Sequence, residues 1–323
     1  MNDKYKGYLC IAVSVFCFST MEISLKLLKS IDPLQMTFTR FIIAGVLIFP
    51  FVRRRMRSEG LHFSRKDYKM FAMLGFVGMT VAMTLFQSAI VYTPASTVAI
   101  LFSSNPVFVL LFAYLLLGDP IYKRNILALA LDIIGILFII NVLDMKLDPR
   151  GVALAIISAL LFALYGVLGK KPTVKFGGLT TTCMNFLIGG AEMFALALLT
   201  RIPAVSSFLT KAGLSRLAEI PLFRGYSLSM LPLFLYVCVI ATGIGFTCYF
   251  SAMEYVPVSI VSLVFFFKPI FAPIFALLIL GDPLTITKVI GILFILGGSM
   301  CNLLPQIQKD RRAARGPERE GES

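Results

Sequence analysis

Lys268 is the residue whose setting most invites chemistry. It interrupts the run FFFKPIFAP (Phe265–Pro273), deep in an apolar stretch and directly before Pro269. An amide, Asn105, stands directly before Pro106 in the similar run SSNPVFVLL. Both prolines are expected to kink their helices, because each leaves the carbonyl one turn back without its usual donor. A lysine and an asparagine beside such freed carbonyls suit a mid-membrane site for a small polar solute. The lysine would meet a carboxylate or phosphate, and the amide would supply a donor and an acceptor. A plainer reading is that Lys268 pairs permanently with an acid and merely locks helices together.

Other charges at depth extend the list, since an intramembrane charge is costly and functional by default. Glu22 and Lys26 are four residues apart, with the acid first, the favourable order for a helical ion pair. They either neutralise each other, or Glu22 faces a cavity and binds an amine or a coupling proton. Arg40 is either an anion partner or part of a packing ion pair; its repeat-related position is Asn185. Glu192, in LIGGAEMFA, is a second proton-coupling candidate or a helix–helix hydrogen bond, and Asp132 is a further acid at depth. Tyr165, Tyr249 and Gln87 carry groups that need a partner when buried. Phe246, Phe250 and Phe265–Phe267 either line a cavity or form core.

Several classes of chemistry find no support. The six cysteines are isolated in apolar runs, without a CxxC pair, and the single histidine, His62, lies in a basic loop. There is no phosphate-binding loop, GxSxG or HExxH pattern. No enzymatic activity, cofactor or metal is expected, and ATP-driven transport would need another chain. No signal peptide is evident; the first apolar run reads as a retained helix.

The elements that must hold these residues are membrane helices. Of the 323 residues 58% are hydrophobic and 15% charged, with a mean hydropathy of +0.87. The apolar residues fall in blocks of about 20, enough to cross a hydrocarbon core of roughly 30 Å. Ten spans are expected, at 7–29, 33–52, 69–92, 96–117, 122–142, 151–169, 179–200, 229–253, 258–280 and 284–304. Asp119–Pro120 and Asp282–Pro283 should cap and restart helices. With the N-terminus inside, cytoplasmic segments hold 19 lysines and arginines and outer segments 8, so both termini are expected in the cytoplasm. The net charge of +13 is then an inner-face bias, not a nucleic-acid footprint. The outer loop 201–228 could hold a short interfacial helix.

The chain also repeats itself. A shift of 163 places Pro94 on Pro257, Ser96 on Ser259, Pro106 on Pro269, and the LGDP ending at Pro120 on that ending at Pro283. A shift of 145 pairs TFTRFIIAG (Thr37–Gly45) with TCMNFLIGG (Thr182–Gly190). Five spans per half force the two copies into opposite orientations, the inverted repeat of many secondary transporters. The expected fold is an all-α polytopic membrane protein with ten transmembrane helices as two inverted five-helix repeats. The repeats occupy 1–143 and 151–304, ahead of a charged cytoplasmic tail at 305–323.

With the TRF of span two and fourth and ninth spans that contain proline and end in LG-acid-P, the chain resembles the EamA branch of the drug/metabolite transporter superfamily over residues 8–304. The family commonly has glutamate after this LG, where both copies here have aspartate. The resemblance implies a basket of helices around a central cavity in the cell membrane, exporting or importing amino acids, amines, carboxylates, sugars or drugs. It leads to an expected secondary transporter of a small polar metabolite working by alternating access, as monomer or homodimer, with Lys268, Asn105, Glu22, Arg40, Tyr165, Tyr249, Gln87 and Asn185 at the substrate. The alternatives are an exporter of cationic or aromatic drugs, or a membrane receptor or lipid-handling protein.

Overall fold

Within hydrocarbon every backbone N–H and C=O must find its partner inside the chain, and a helix does this within one segment. The computed structural model follows that rule: among the described residues the protein is helical, with no strand. It describes residues 3–28, 30–93, 98, 101–140, 148–280, 285–287, 289–298 and 300–301; at 22, 26, 139, 140, 216, 269, 272, 273, 276 and 280 it describes the backbone alone. The side chains of Glu22, Lys26 and Pro269, and the second LGDP turn, lie outside the described set.

In chain order the helices are α1 (Asp3–Leu27), α2 (Pro33–Ser58), α3 (Arg65–Tyr92), α4 (Asn105–Leu117), α5 (Lys123–Ile140) and α6 (Pro149–Phe176). They continue as α7 (Gly178–Leu199), α8 (Pro203–Lys211), α9 (Leu228–Tyr255), α10 (Val258–Val261), α11 (Val264–Leu280) and α12 (Val289–Gly298). The segments in α1, α2, α3, α6, α7 and α9 are long and apolar enough to cross a membrane. The expected fourth, ninth and tenth spans have shorter apolar helices among the described residues.

Local chemistry explains where helices begin and end. Asp32 caps α2 by accepting the Leu34 N–H at 2.9 Å, and Pro33 needs no partner there. Asp148 caps α6 through the Arg150 N–H at 2.8 Å, and the Arg150 guanidinium 2.9 Å away holds its carboxyl below the ordinary range. Gly118, at φ 75°, closes α4 in the left-handed conformation that glycine tolerates. The expected helix restart at Pro120 does not occur. The Asp119 N–H instead turns back to the Ala113 carbonyl, finishing α4, and α5 begins at Lys123.

Two irregularities were not anticipated. Helices α3 and α9 each contain a π-helical stretch, Gly75–Ala82 and Tyr236–Ile244. The shift of 163 maps the first onto 238–245, almost wholly inside the second. Secondly, the span holding α4 breaks at Ser103–Ser104, so that Pro106 sits in the first turn of α4, where no N–H is required. In the other half the break comes at Ser262–Leu263, and Pro269 lies inside the continuous α11.

The loop 201–228 is tied down. Gln35 on α2 donates to the Arg224 carbonyl at 2.8 Å and accepts the Arg224 N–H at 3.2 Å, while Ile220 is buried among Leu34, Phe38, Met193 and Ala197. The short helix expected there is α8.

Candidate functional site

The centre of the bundle is filled by aromatic side chains from six helices and from Phe102, in the helical segment that precedes the break at Ser103–Ser104. Phe41 of α2 stacks on Phe186 of α7 at 4.9 Å, and Phe18 of α1 meets Phe246 of α9 at 4.8 Å. Phe162 of α6 lies 5.3 Å from Phe102 and 5.6 Å from Phe265 of α11. Tyr165 and Tyr249 join through Phe250, at 5.4 and 5.3 Å. Of the phenylalanines read from the sequence as either cavity lining or core, Phe246, Phe250, Phe265 and Phe266 are core in this conformation, whereas Phe267 is half-buried and lines a groove.

The polar candidates sit among these rings. Arg40 is 3% exposed; its Nη1 reaches the Met21 Sδ at 2.7 Å, its guanidinium lies 5.0 Å from the centre of Phe41, and its Nε has no partner. The ion pair considered for Arg40 is not found among the described residues. Asn185, one residue before Phe186, donates to the Tyr165 hydroxyl at 3.1 Å, leaving its carbonyl oxygen unpaired. Tyr165 packs on Gly78 in the π stretch of α3, where a methyl group would overlap the root of the tyrosine ring. The Tyr249 hydroxyl is buried against Gly166 with no hydrogen-bond partner.

Asn105 donates to the Ala159 carbonyl of α6 at 2.8 Å and keeps its own oxygen unpaired. Lys268 is 7% exposed on α11 and makes an interaction there. Gln87 donates to Thr37 at 3.2 Å and belongs to the α2–α3 contact rather than the aromatic centre. Glu192 is half-buried and accepts from Thr80 at 3.4 Å, so the helix–helix contact foreseen for it is present. Asp132 is fully buried on α5 against Gly298, with neither oxygen hydrogen-bonded.

Sequence reasoning passed over a cluster at one end of the bundle. Lys170 of α6 donates to the carbonyls of Met253 and, at 3.3 Å, Val256, where α9 ends. Glu254 accepts the Gly178 N–H that opens α7 at 2.6 Å, and Lys175 pairs with Asp67 of α3 at 2.7 Å. Each charge meets the helix end of opposite polarity or an opposite charge. The signal was present in the sequence as the KKPTVKF run and a glutamate at the end of a span.

A cavity of about 270 Å³ lies under the loop 201–228, between Thr39, Tyr226 and Phe234, and a groove of about 400 Å³ runs between α1 and α11. Neither is lined by Lys268, Arg40, Asn105 or Asn185.

Comparison with known proteins is consistent across sequence and structure. The EamA-like transporter family matches residues 5–141 and again 149–304. An uncharacterized transporter of Clostridium kluyveri is 30% identical over 92% of this chain and 93% of its own length. The uncharacterized transporter YyaM of Bacillus subtilis is 24% identical over 88% and 89%, and protein PecM of Dickeya dadantii 25% identical over 69% of each. A protein of known crystal structure shares the fold, with a TM-score of 0.73 over 94% of this chain and 98% of that one, at 14% identity. With helices that suit a membrane and a family match over both halves, the chain belongs to the EamA-like transporter family of the drug/metabolite transporter superfamily, a multi-pass membrane transporter.

Proposed function

We propose that the protein moves a small polar metabolite bearing a carboxylate, an amino acid or a related compound, across the cell membrane by alternating access. The fold reading that goes with this is ten spans in two inverted five-helix repeats, with both termini in the cytoplasm. The substrate would meet Lys268, Arg40 and Asn105, with Glu22, Asn185, Tyr165, Tyr249 and Gln87 around them. Lys268 lies ten residues past the start of α10 at Val258, roughly 15 Å of helix, which is half of a hydrocarbon core of roughly 30 Å.

One observation carries the reading. Buried polar atoms with unused bonding capacity come from both family-matched stretches: Arg40 Nε and Asn105 Oδ1 from the first, Asn185 Oδ1 and Tyr249 Oη from the second. Arg40 lies against Phe41, Asn185 bonds Tyr165 and Tyr249 packs on Phe250 in the aromatic cluster, while Asn105 bonds the Ala159 carbonyl of α6, the helix that carries Phe162 and Tyr165. A buried polar group without a partner is costly, and a site that must grip a polar solute in one state and release it in another has reason to bear that cost. The paired π stretches of α3 and α9 support a bundle whose halves move, since such stretches recur at functional positions in helices. Coupling to a proton through Glu22 or Glu192 belongs to the same proposal; a rate indifferent to a pH gradient would remove it.

The test is thermal stability of the purified protein against anions, zwitterions and cations, wild type beside Lys268→Ala, followed by flux in proteoliposomes. A ligand that binds the folded state raises the melting temperature. Carboxylate compounds should stabilise the wild type and not the variant. The aromatic cluster favours a second reading, export of cationic or aromatic compounds. Stabilisation by organic cations alone, equal in wild type and variant, would replace the first reading with it.

A further inference from the structure

We propose that the groove between α1 and α11 holds one acyl chain of a bilayer phospholipid, as a bound lipid distinct from the solvent-like lipids around the bundle. Its walls are Ile11, Ala12 and Val15 on one side and Leu263, Phe267 and Phe271 on the other, residues at helical spacing that place one face of each helix toward the other. Tyr8, at its end nearest the N-terminus, carries the one polar side-chain atom of the lining. Phe16 and Phe275, with ring centres 5.6 Å apart, close the far end.

What covers the groove follows from its surroundings. Its lips are exposed apolar residues, Phe16 at 50% and Phe271 at 39%, and farther along α11 Leu278 is 73% exposed. In a membrane transporter such a surface faces hydrocarbon, so the groove is continuous with the lipid-facing side of the molecule. From Tyr8 to Phe16 is roughly 12 Å of helix, close to one leaflet's share, roughly 15 Å, of the hydrocarbon core. Tyr8 lies five residues from the start of α1, so the groove begins near the membrane surface and runs inward as an acyl chain does. A void of about 400 Å³ whose lining offers one polar side-chain atom has too few partners to hold ordered water, whereas a hydrocarbon chain loses nothing by entering it. The occupant lies between α1 and the helix that carries Lys268, so lipid chain structure would bear on how α11 moves.

The chain contains no tryptophan, so single tryptophans report cleanly on quenching by phospholipid brominated in its acyl chain. Phe271→Trp places a reporter in the groove, and Leu278→Trp one on the open face of the same helix. In detergent with limiting brominated phospholipid, quenching at Phe271→Trp should saturate near one lipid per protein, while Leu278→Trp follows the bulk mole fraction. Adding Ala12→Phe, at an exposed position facing the groove, should weaken the saturating phase at least tenfold. Equal, non-saturating quenching at both reporters overturns the proposal, and that comparison stands whether or not Ala12→Phe folds. Saturation at Phe271→Trp that a folded Ala12→Phe leaves unchanged also overturns it, since the chain would then bind elsewhere.

Discussion

Glu254 holds a carboxylate oxygen 2.6 Å from the backbone N–H of Gly178, joining the last turn of α9 to the first residue of α7. Helix α7 has no side-chain cap of its own, so this distant acid takes the place of one. A carboxylate at a helix N-terminus gains from both the hydrogen bond and the helix dipole. Glu254→Ala should therefore cost about 1 kcal/mol of stability, the usual worth of a lost N-cap. Glu254→Gln, which can still accept from Gly178, should fall between. Thermal melts of the three proteins decide it; equal melting temperatures would mean the contact contributes nothing.

The Tyr165–Asn185 pair makes a second stability prediction. Tyr165→Phe removes the acceptor at 3.1 Å and leaves the buried Asn185 amide with an unpaired donor, at a cost of about 1–3 kcal/mol. Gly78→Ala presses a methyl into the root of the Tyr165 side chain, where little can give, and should also destabilise by about 1–3 kcal/mol. Both act on one contact, so the double variant should cost less than the sum of the singles. Full additivity in melting experiments would show that the two side chains do not share a strain.

Arg40 reverses the usual sign. Its guanidinium is buried with a thioether as its hydrogen-bond partner and no carboxylate among the described residues, an arrangement costly to maintain. Arg40→Met should leave the melting temperature unchanged or raise it, while abolishing flux and any stabilisation by anions. Arg40→Lys should not rescue binding, because a point charge does not replace a planar fork. A variant that loses stability and keeps transport would make Arg40 a packing residue.

How far these features could be read in the sequence depends on their physical range. Long apolar runs and buried positions for Lys268, Asn105 and Asn185 follow from short-range pattern and from repetition in the chain, whereas the caps at Asp32 and Asp148, each just before a proline, carried a local signal that the sequence reading passed over. The shape of the helix backbone does not. Nothing local to Gly75–Ala82 or Tyr236–Ile244 distinguishes a π stretch from ordinary helix, because the wider turn is set by what packs on it. Phenylalanine spacing likewise fixes a face but not its neighbour, so Phe246, Phe250 and Phe265 read equally as lining or as plug until the helices are placed. The restart expected at Pro120 is put off to Lys123: Asp119 closes α4 through its N–H to the Ala113 carbonyl, and residues 119–122 run on without helix. Gly178 and Glu254, 76 residues apart, meet only through tertiary structure.

Cys10 of α1 and Cys248 of α9 lie on helices packed against each other, and they belong to different family-matched stretches. If the two halves rock against each other during transport, α1 and α9 must change their separation or angle, and a covalent link between them would stop the cycle. Oxidation by copper phenanthroline, with oxygen as the terminal electron acceptor, should join the thiols within one chain, and Cys10→Ser should prevent it. The linked wild type should lose most of its flux and regain it on reduction with dithiothreitol, while Cys10→Ser stays active under both conditions. A linked protein that transports at the wild-type rate would place the moving contact elsewhere and remove α1–α9 rocking from the mechanism.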